Sequence, residues 1–208
     1  MKEITIIDYG YGNIFSIVSA LKSLGYKTNI SNDPDVIRKA ELLILPGVGA
    51  FKAAIKNLKK LNLDDALKEA IKKGGKIIGI CLGYQMLFDH SEEFGSTDGL
   101  GLISGIVTKI NSNKNLSYKV PNIGWRKLIL KNNKFKDINF KNNEMVYFVH
   151  SYIPVSSDEN KVLHVVKYNG LFLHASVMCE QIIGFQFHPE KSGNIGLSIL
   201  NKAIRVLE

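Results

Sequence analysis

The chain has 208 residues, 45% of them apolar and 22% charged, a balance that suits a folded domain and excludes wholesale disorder. Its formal charge of +8 comes mainly from 24 lysines spread along the sequence, with only three arginines and no recognition motif, so no nucleic-acid partner is expected. No apolar run approaches the roughly 20 residues that span a bilayer, Met1–Asp8 lacks the apolar core of a signal peptide, and two cysteines are too few for a secreted disulfide scaffold.

These features imply a cytoplasmic protein with no membrane association, built as a single domain over residues 1–208. From the N-terminus, Ile4 to Asp8 reads as a buried strand. Ile14, Ile17, Val18, Leu21 and Leu24 follow at helical spacing, and Gly25 ends that helix. A short strand is expected over Lys27 to Ser31, and an apolar one over Leu42 to Leu45, closed by Pro46-Gly47-Val48-Gly49. Ile55, Leu58 and Leu61 predict another helix. Asp64 or Asp65 is expected to cap the next, which carries Leu67, Ala70 and Ile71 and stops at Gly74-Gly75. Lys76 to Cys81 is a strand, with a helix expected just after Gly83.

Such alternation argues for an α/β fold: a mainly parallel twisted sheet with helices on both faces. Beyond Leu100 strand patterns dominate, over Ile103 to Ile110, Arg126 to Leu130, Met145 to Val149, Val162 to Tyr168, Leu171 to Val177 and Ile182 to Phe187. Polar loops separate them, among them residues 111–115. They are expected as antiparallel strands added to the same sheet, before a final helix from about Gly196 to Leu207.

Gly79-Ile80-Cys81-Leu82-Gly83 ends an apolar strand just before a helix, the cysteine form of the strand–turn–helix elbow. A turn that thrusts its central residue outward crowds the flanking backbone, and glycine two places to either side relieves the clash. The helix start favours thiolate over thiol. Leu82 N–H is positioned to hold an oxyanion.

Downstream, Phe187-His188-Pro189-Glu190 ends another apolar run. Pro189 biases His188 towards extended backbone, where residues two apart share a side, so Glu190 can orient the imidazole. Cys81, His188 and Glu190 then form a nucleophile–base–orienter set. His90, His164 and His174 lack such a context. His150 ends a strand and can line a pocket without being the base. Cys179, among apolar neighbours, is expected to be inert. No metal-ligand spacing is present, so neither metal nor cofactor is expected.

These motifs, with Asp8 to Ile14, Leu45 to Phe51, Gly79 through Leu87, Tyr147 to Tyr152 and Phe185 through Ser192, resemble the class I (triad) glutamine amidotransferases over nearly the whole chain. Within that family the likeness is strongest to the glutaminase subunits of imidazole glycerol phosphate synthases.

The resemblance implies hydrolysis of L-glutamine, with ammonia passed to a (β/α)8-barrel cyclase subunit in a heterodimer. It implies Cys81, His188 and Glu190 as the triad, Val48 and Leu82 as oxyanion donors, and Gly49, Gln85, Ser151 and Tyr152 around the glutamine. Val48 would serve only after its peptide reorients. Asn13, Trp125, Tyr147 and Lys191 would lie towards the partner and the ammonia path. One segment departs from the family's Pro-His-Met-Gly-Trp-Asn, reading Pro121-Asn122-Ile123-Gly124-Trp125-Arg126. It leaves open a paralogous subunit that supplies ammonia for amidation of a surface sugar. A non-catalytic partner protein on the same fold is a further alternative.

Overall fold

Short apolar runs form the centre of the structure. In the computed structural model, which describes residues 3–110, 120–132 and 144–208, they are β1 (Glu3–Ile7), β3 (Leu42–Leu45) and β4 (Lys76–Ile80), with β2 (Lys27–Ser31) at the edge. Between them run α1 (Ile14–Ser23), α2 (Pro34–Lys39), α3 (Phe51–Lys60) and α4 (Leu63–Lys72). A single turn, α5 (Leu82–Met86), leads into β5 (Phe88–Ser91), β6 (Thr97–Asp98) and β7 (Ile103–Lys109). There follow β8 (Asn122–Leu130), β9 (Met145–His150), β10 (Tyr152–Ser156), β11 (Val162–Tyr168), β12 (Leu171–Cys179), β13 (Ile182–Phe185) and α6 (Gly193–Leu207).

The main sheet has nine strands in the order β2-β1-β3-β4-β13-β12-β11-β8-β9. Its first five are parallel, and the other four add on antiparallel. Both faces of the parallel part are covered, as its uninterrupted burial requires. One face packs residues of α1 and α6, such as Leu21, Leu200 and Ile204. The other packs α3 and α4 through Leu58, Leu67 and Ala70. No described helix is long and apolar enough to cross a membrane.

Several sequence expectations need correction. The Ile103–Ile110 segment belongs not to the main sheet but to a separate four-stranded one, β10-β7-β5-β6. Alternating burial along β7 fixes which face is inside, but not which sheet it joins. Asp64 and Asp65 lie inside the first turn of α4, which starts after Asn62 in left-handed backbone (φ 56°). They complement the helix dipole rather than cap it. The helix expected after Gly83 begins at Leu82 and lasts one turn. α6 starts earlier than expected, at Gly193, and the loop at 111–115 lies outside the described residues.

The order β3-β4-β13 is what builds a site. These strands are adjacent and parallel, so the segments leaving their C-terminal ends, Pro46–Gly49, Cys81–Gly83 and Gln186–Glu190, meet at one end of the sheet. Ligand sites of open α/β sheets lie at that end.

Candidate active site

Cys81 leaves β4 with φ 54° and ψ −109°, a backbone that L-residues adopt only under constraint. The constraint is local packing. Its N–H donates to Phe185 O (2.7 Å) and its carbonyl accepts from Gln85 N (3.1 Å). A Cβ on Gly79 would fall 2.8 Å from Tyr84 Cα, and one on Gly83 only 1.9 Å from the Leu45 carbonyl oxygen. Both glycines are therefore steric necessities of the elbow.

His188 follows β13 in extended backbone (φ −98°, ψ 94°). Its Nδ1 lies 2.8 Å from Glu190 Oε1, and both side chains are almost wholly buried. The contact is made by a 3-10 turn over Pro189–Lys191, where an extended run was expected. Ser192 braces that turn, donating from Oγ to His188 O (2.7 Å) and accepting there from Tyr147 N (2.9 Å). Burial alone would lower the His188 pKa. The Cys81 sulfur and the Glu190 carboxylate outweigh it and raise the value to about 10. The Cys81 sulfur acts on the ring by charge and by hydrogen bonding, although His188 Nε2 has no partner within ordinary hydrogen-bond limits, and Sγ also accepts from Gln186 Nε2 (3.7 Å).

Cys81 and His188 open on a cavity of about 450 Å³ that is also lined by Val48, Gly49, Leu82, Gln85, Ser151 and Tyr152, with Glu93, Pro121, Val149 and His150 completing it. The residues expected around the nucleophile and the substrate thus share one wall set. A cavity of about 360 Å³ at the other end of the sheet, bordered by Arg38, Lys73 and Lys76, is lined by no cysteine or histidine. Gln85 Nε2 donates to Tyr152 O and to Gln186 Oε1, both at 3.0 Å. With both hydrogens used, Gln85 offers the cavity only its oxygen.

Neither expected oxyanion donor is free. Val48 N–H donates to Tyr11 O (3.0 Å) and Leu82 N–H to Gly47 O (3.3 Å). One peptide unit, Gly47–Val48, carries both the N–H turned away and the carbonyl that occupies Leu82.

Of the four residues expected towards a partner, Trp125 and Tyr147 pair edge to face on β8 and β9, 6.1 Å apart. Ile123, Trp125, Met145 and Val149 make the outer face of these strands apolar and exposed. Lys191 is exposed on the 3-10 turn, which packs against both α1 and β9. Asn13 caps α1, its Oδ1 accepting from Ser16 N (3.3 Å).

Three site residues were missed. Glu93 comes from a loop with no sequence signal. Its Oε2 accepts from Phe51 N (2.7 Å), capping α3, whose own cap position, Ala50, has no side-chain acceptor. Gln186 could have been found, because it stands two residues before His188 and so on the same side of the chain. Asn122 donates from Nδ2 to His150 Nε2 (3.0 Å), and His150 Nδ1 donates to Tyr152 O (2.9 Å).

Burial holds the His150 pKa down to about 4, so the ring is neutral. His164 bonds to Ser176, and His174 to Ser156 and Glu159, away from this cavity. Among the described residues no group of three or more His, Cys, Asp or Glu could hold a metal ion. Cys179 is free and partly exposed.

Residues 5–205 match the family model for glutamine amidotransferase class-I. The chain is 44% identical over 210 residues to the imidazole glycerol phosphate synthase subunit HisH of Geobacillus sp. (strain WCH70), covering 99% of this chain and 97% of that protein. It is 42% identical over 204 residues to the subunit of the same name from Aquifex aeolicus (strain VF5), covering 98% and 96%. Among solved structures, PurLQS from Thermotoga maritima superposes with a TM-score of 0.74 at 21% identity, over 100% of both chains. A glutamine amidotransferase superposes at 0.72 and 18% identity, over 96% of this chain and 98% of that one. At these identities the structural matches speak for the fold alone.

Proposed function

The chain belongs to the class I glutamine amidotransferases, and from that premise we propose that it is the glutaminase subunit of an imidazole glycerol phosphate synthase, acting in histidine biosynthesis. Its ammonia passes to a (β/α)8-barrel cyclase subunit, which makes imidazole glycerol phosphate and AICAR from a ribonucleotide. The observation that carries the chemistry is the Cys81 elbow opening on the same cavity as the buried His188–Glu190 pair.

The Cys81 thiolate adds to the side-chain carboxamide carbon of glutamine, and the carbonyl π pair moves to oxygen. His188, held protonated, gives its Nε2 proton to the departing nitrogen, and ammonia leaves a γ-glutamyl thioester. Water then loses a proton to His188 as it attacks, releasing glutamate and restoring the thiolate. Glu190 fixes the ring through Nδ1 and stabilises the imidazolium. The Gln85 oxygen accepts from the substrate, and Gly49, Ser151 and Tyr152 hold its backbone end. Glu93 across the cavity is the carboxylate suited to an α-ammonium group.

Rotation of the Gly47–Val48 peptide would do two things together. It would free Leu82 N–H from the Gly47 carbonyl and turn Val48 N–H towards the developing oxyanion. A glutaminase with both donors occupied is quiet until that rotation, which we assign to docking of the cyclase on the face formed by Asn13, Trp125, Tyr147 and Lys191. Such coupling keeps ammonia from being released without an acceptor. The working enzyme is a cytoplasmic heterodimer of lyase type, with residues 1–208 as one glutaminase domain.

The departure at 121–126 bears on the sugar-amidating alternative. Asn122 is buried against His150, and Arg126 turns back to donate to the carbonyls of Trp125 (2.9 Å) and Ile123 (3.1 Å). Both substitutions are used within this chain, which supports the histidine-pathway reading. Co-expression with a candidate cyclase and with a sugar amidotransferase separates the two. The expected result is co-purification with the cyclase and glutamine-dependent formation of imidazole glycerol phosphate. Exclusive co-purification with the sugar enzyme would overturn it.

A further inference from the structure

One hydrogen bond to the nucleophilic sulfur comes from a residue outside the triad. Gln186 is fully buried, its Nε2 faces Cys81 Sγ at 3.7 Å and its Oε1 accepts from Gln85 Nε2 at 3.0 Å. Chemistry fixes this orientation of the two amides. The Tyr152 carbonyl can only accept, so Gln85 must turn its nitrogen to it, and the second hydrogen on that nitrogen meets Gln186 Oε1. Gln186 is left with its N–H groups towards the sulfur.

The Tyr152 carbonyl is itself held. A neutral His150 donates to it from Nδ1, which leaves Nε2 as the acceptor for Asn122 Nδ2. A buried chain therefore runs from Asn122 through His150, Tyr152, Gln85 and Gln186 to Cys81.

We propose that Gln186 is a further catalytic residue of the glutaminase, its carboxamide donating to the Cys81 thiolate and locking it to the substrate-contacting Gln85. The inference rests on the glutaminase reading above. A charge-assisted N–H···S⁻ bond is stronger than one to a neutral thiol and so favours the nucleophilic form of sulfur. Sulfur loses that charge on forming the thioester, so the bond acts on the supply and aim of the nucleophile. His188 and Glu190 lie beside it on the same segment. Gln85, one turn along the elbow helix, ties substrate seat and nucleophile to a single side chain.

The test is the pH profile of Cys81 alkylation by iodoacetamide, read by mass spectrometry on the peptide carrying residue 81, for the wild-type chain and Gln186→Met. The titratable groups facing the sulfur are His188, backed by Glu190, and Tyr9 from the loop after β1, with Glu93 across the cavity. None of these is altered in the variant. Loss of the donor is expected to move the midpoint up by about one pH unit, with the high-pH plateau within about threefold of wild type. With the cyclase present, glutamate release at neutral pH is expected to fall about tenfold and to recover as pH rises.

A midpoint unchanged within about 0.2 unit, or a rate lowered equally at every pH, would overturn the proposal by leaving only a packing role. Gln186→Leu gives the same reading if the methionine variant does not fold. The alkylation arm needs no glutaminase turnover, so a wild-type chain without activity would sink the functional reading separately.

Discussion

Two loops leave neighbouring parallel strands, β3 and β4, and they are held in different ways. The elbow after β4 is fixed by hard contacts: Cys81 sits at φ 54°, and neither Gly79 nor Gly83 has room for a Cβ. The loop after β3 is also packed closely at Gly47, where a Cβ would fall 2.6 Å from Gly83 N, but its next peptide is held by hydrogen bonds, Tyr9 Oη to Pro46 O (2.7 Å) and Val48 N to Tyr11 O (3.0 Å). Gly49 supplies it with a φ of 104° open only to glycine. Net hydrogen-bond contributions of about 1 kcal/mol can be exchanged, whereas packing overlaps cannot. In the function proposed above, the nucleophile would sit on the loop fixed by packing and the adjustable oxyanion donor on the one tied by exchangeable bonds, so that a complete triad could stay idle.

The largest effect is expected at the sulfur. Cys81→Ala is expected to cut partner-stimulated glutamate release by about 10⁴-fold or more while leaving the thermal melting curve in place. Full activity in that variant would remove the triad. Gly83→Ala should destabilise the chain by more than about 3 kcal/mol in urea titration, because the new methyl meets the Leu45 carbonyl. A loss below about 1 kcal/mol would mean the elbow is softer than argued. Val48→Pro deletes one N–H from the other loop. It should lower stimulated turnover by about 10²-fold, with a stability loss smaller than that of Gly83→Ala although the bond to Tyr11 O goes with it. A stability loss as large as that of Gly83→Ala would erase the distinction between the loops.

A separate test lies in the pH dependence of stability. The His188 pKa is raised from 6.5 to about 10, so its contribution is full below pH 6.5 and is lost as pH rises through 10. His150 and His164 are held near 4 by burial, so their contribution is present above pH 6.5 and is lost as pH falls towards 4. Urea midpoints across this range should fall away on both sides of a near-neutral maximum. Replacing His188 by Asn should flatten the alkaline side alone, and an unchanged alkaline side would deny the charge on His188.

Much of this was legible in the sequence because the signals were local. The strands at Lys27–Ser31 and Val162–Tyr168 have the limits their patterns gave. The elbow declared itself through two glycines at fixed offsets, and His188 and Glu190 through their spacing. The separate sheet was not legible, because β5 and β6 are only four and two residues long and β10 finds its partner β7 far along the chain. α2 was overlooked although Asp33 caps it ahead of Pro34. Glu93 reaches the cavity only because its loop folds over α3, and the directions of the Val48 and Leu82 N–H groups are peptide orientations that residue types do not encode.

If the oxyanion donors of this triad are withheld until a partner docks, the rate of glutamate release will show it, measured on this chain alone and then with a candidate cyclase subunit and its ribonucleotide. Little turnover is expected alone, and at least about tenfold stimulation by the loaded partner. Equal turnover with and without that partner would contradict it.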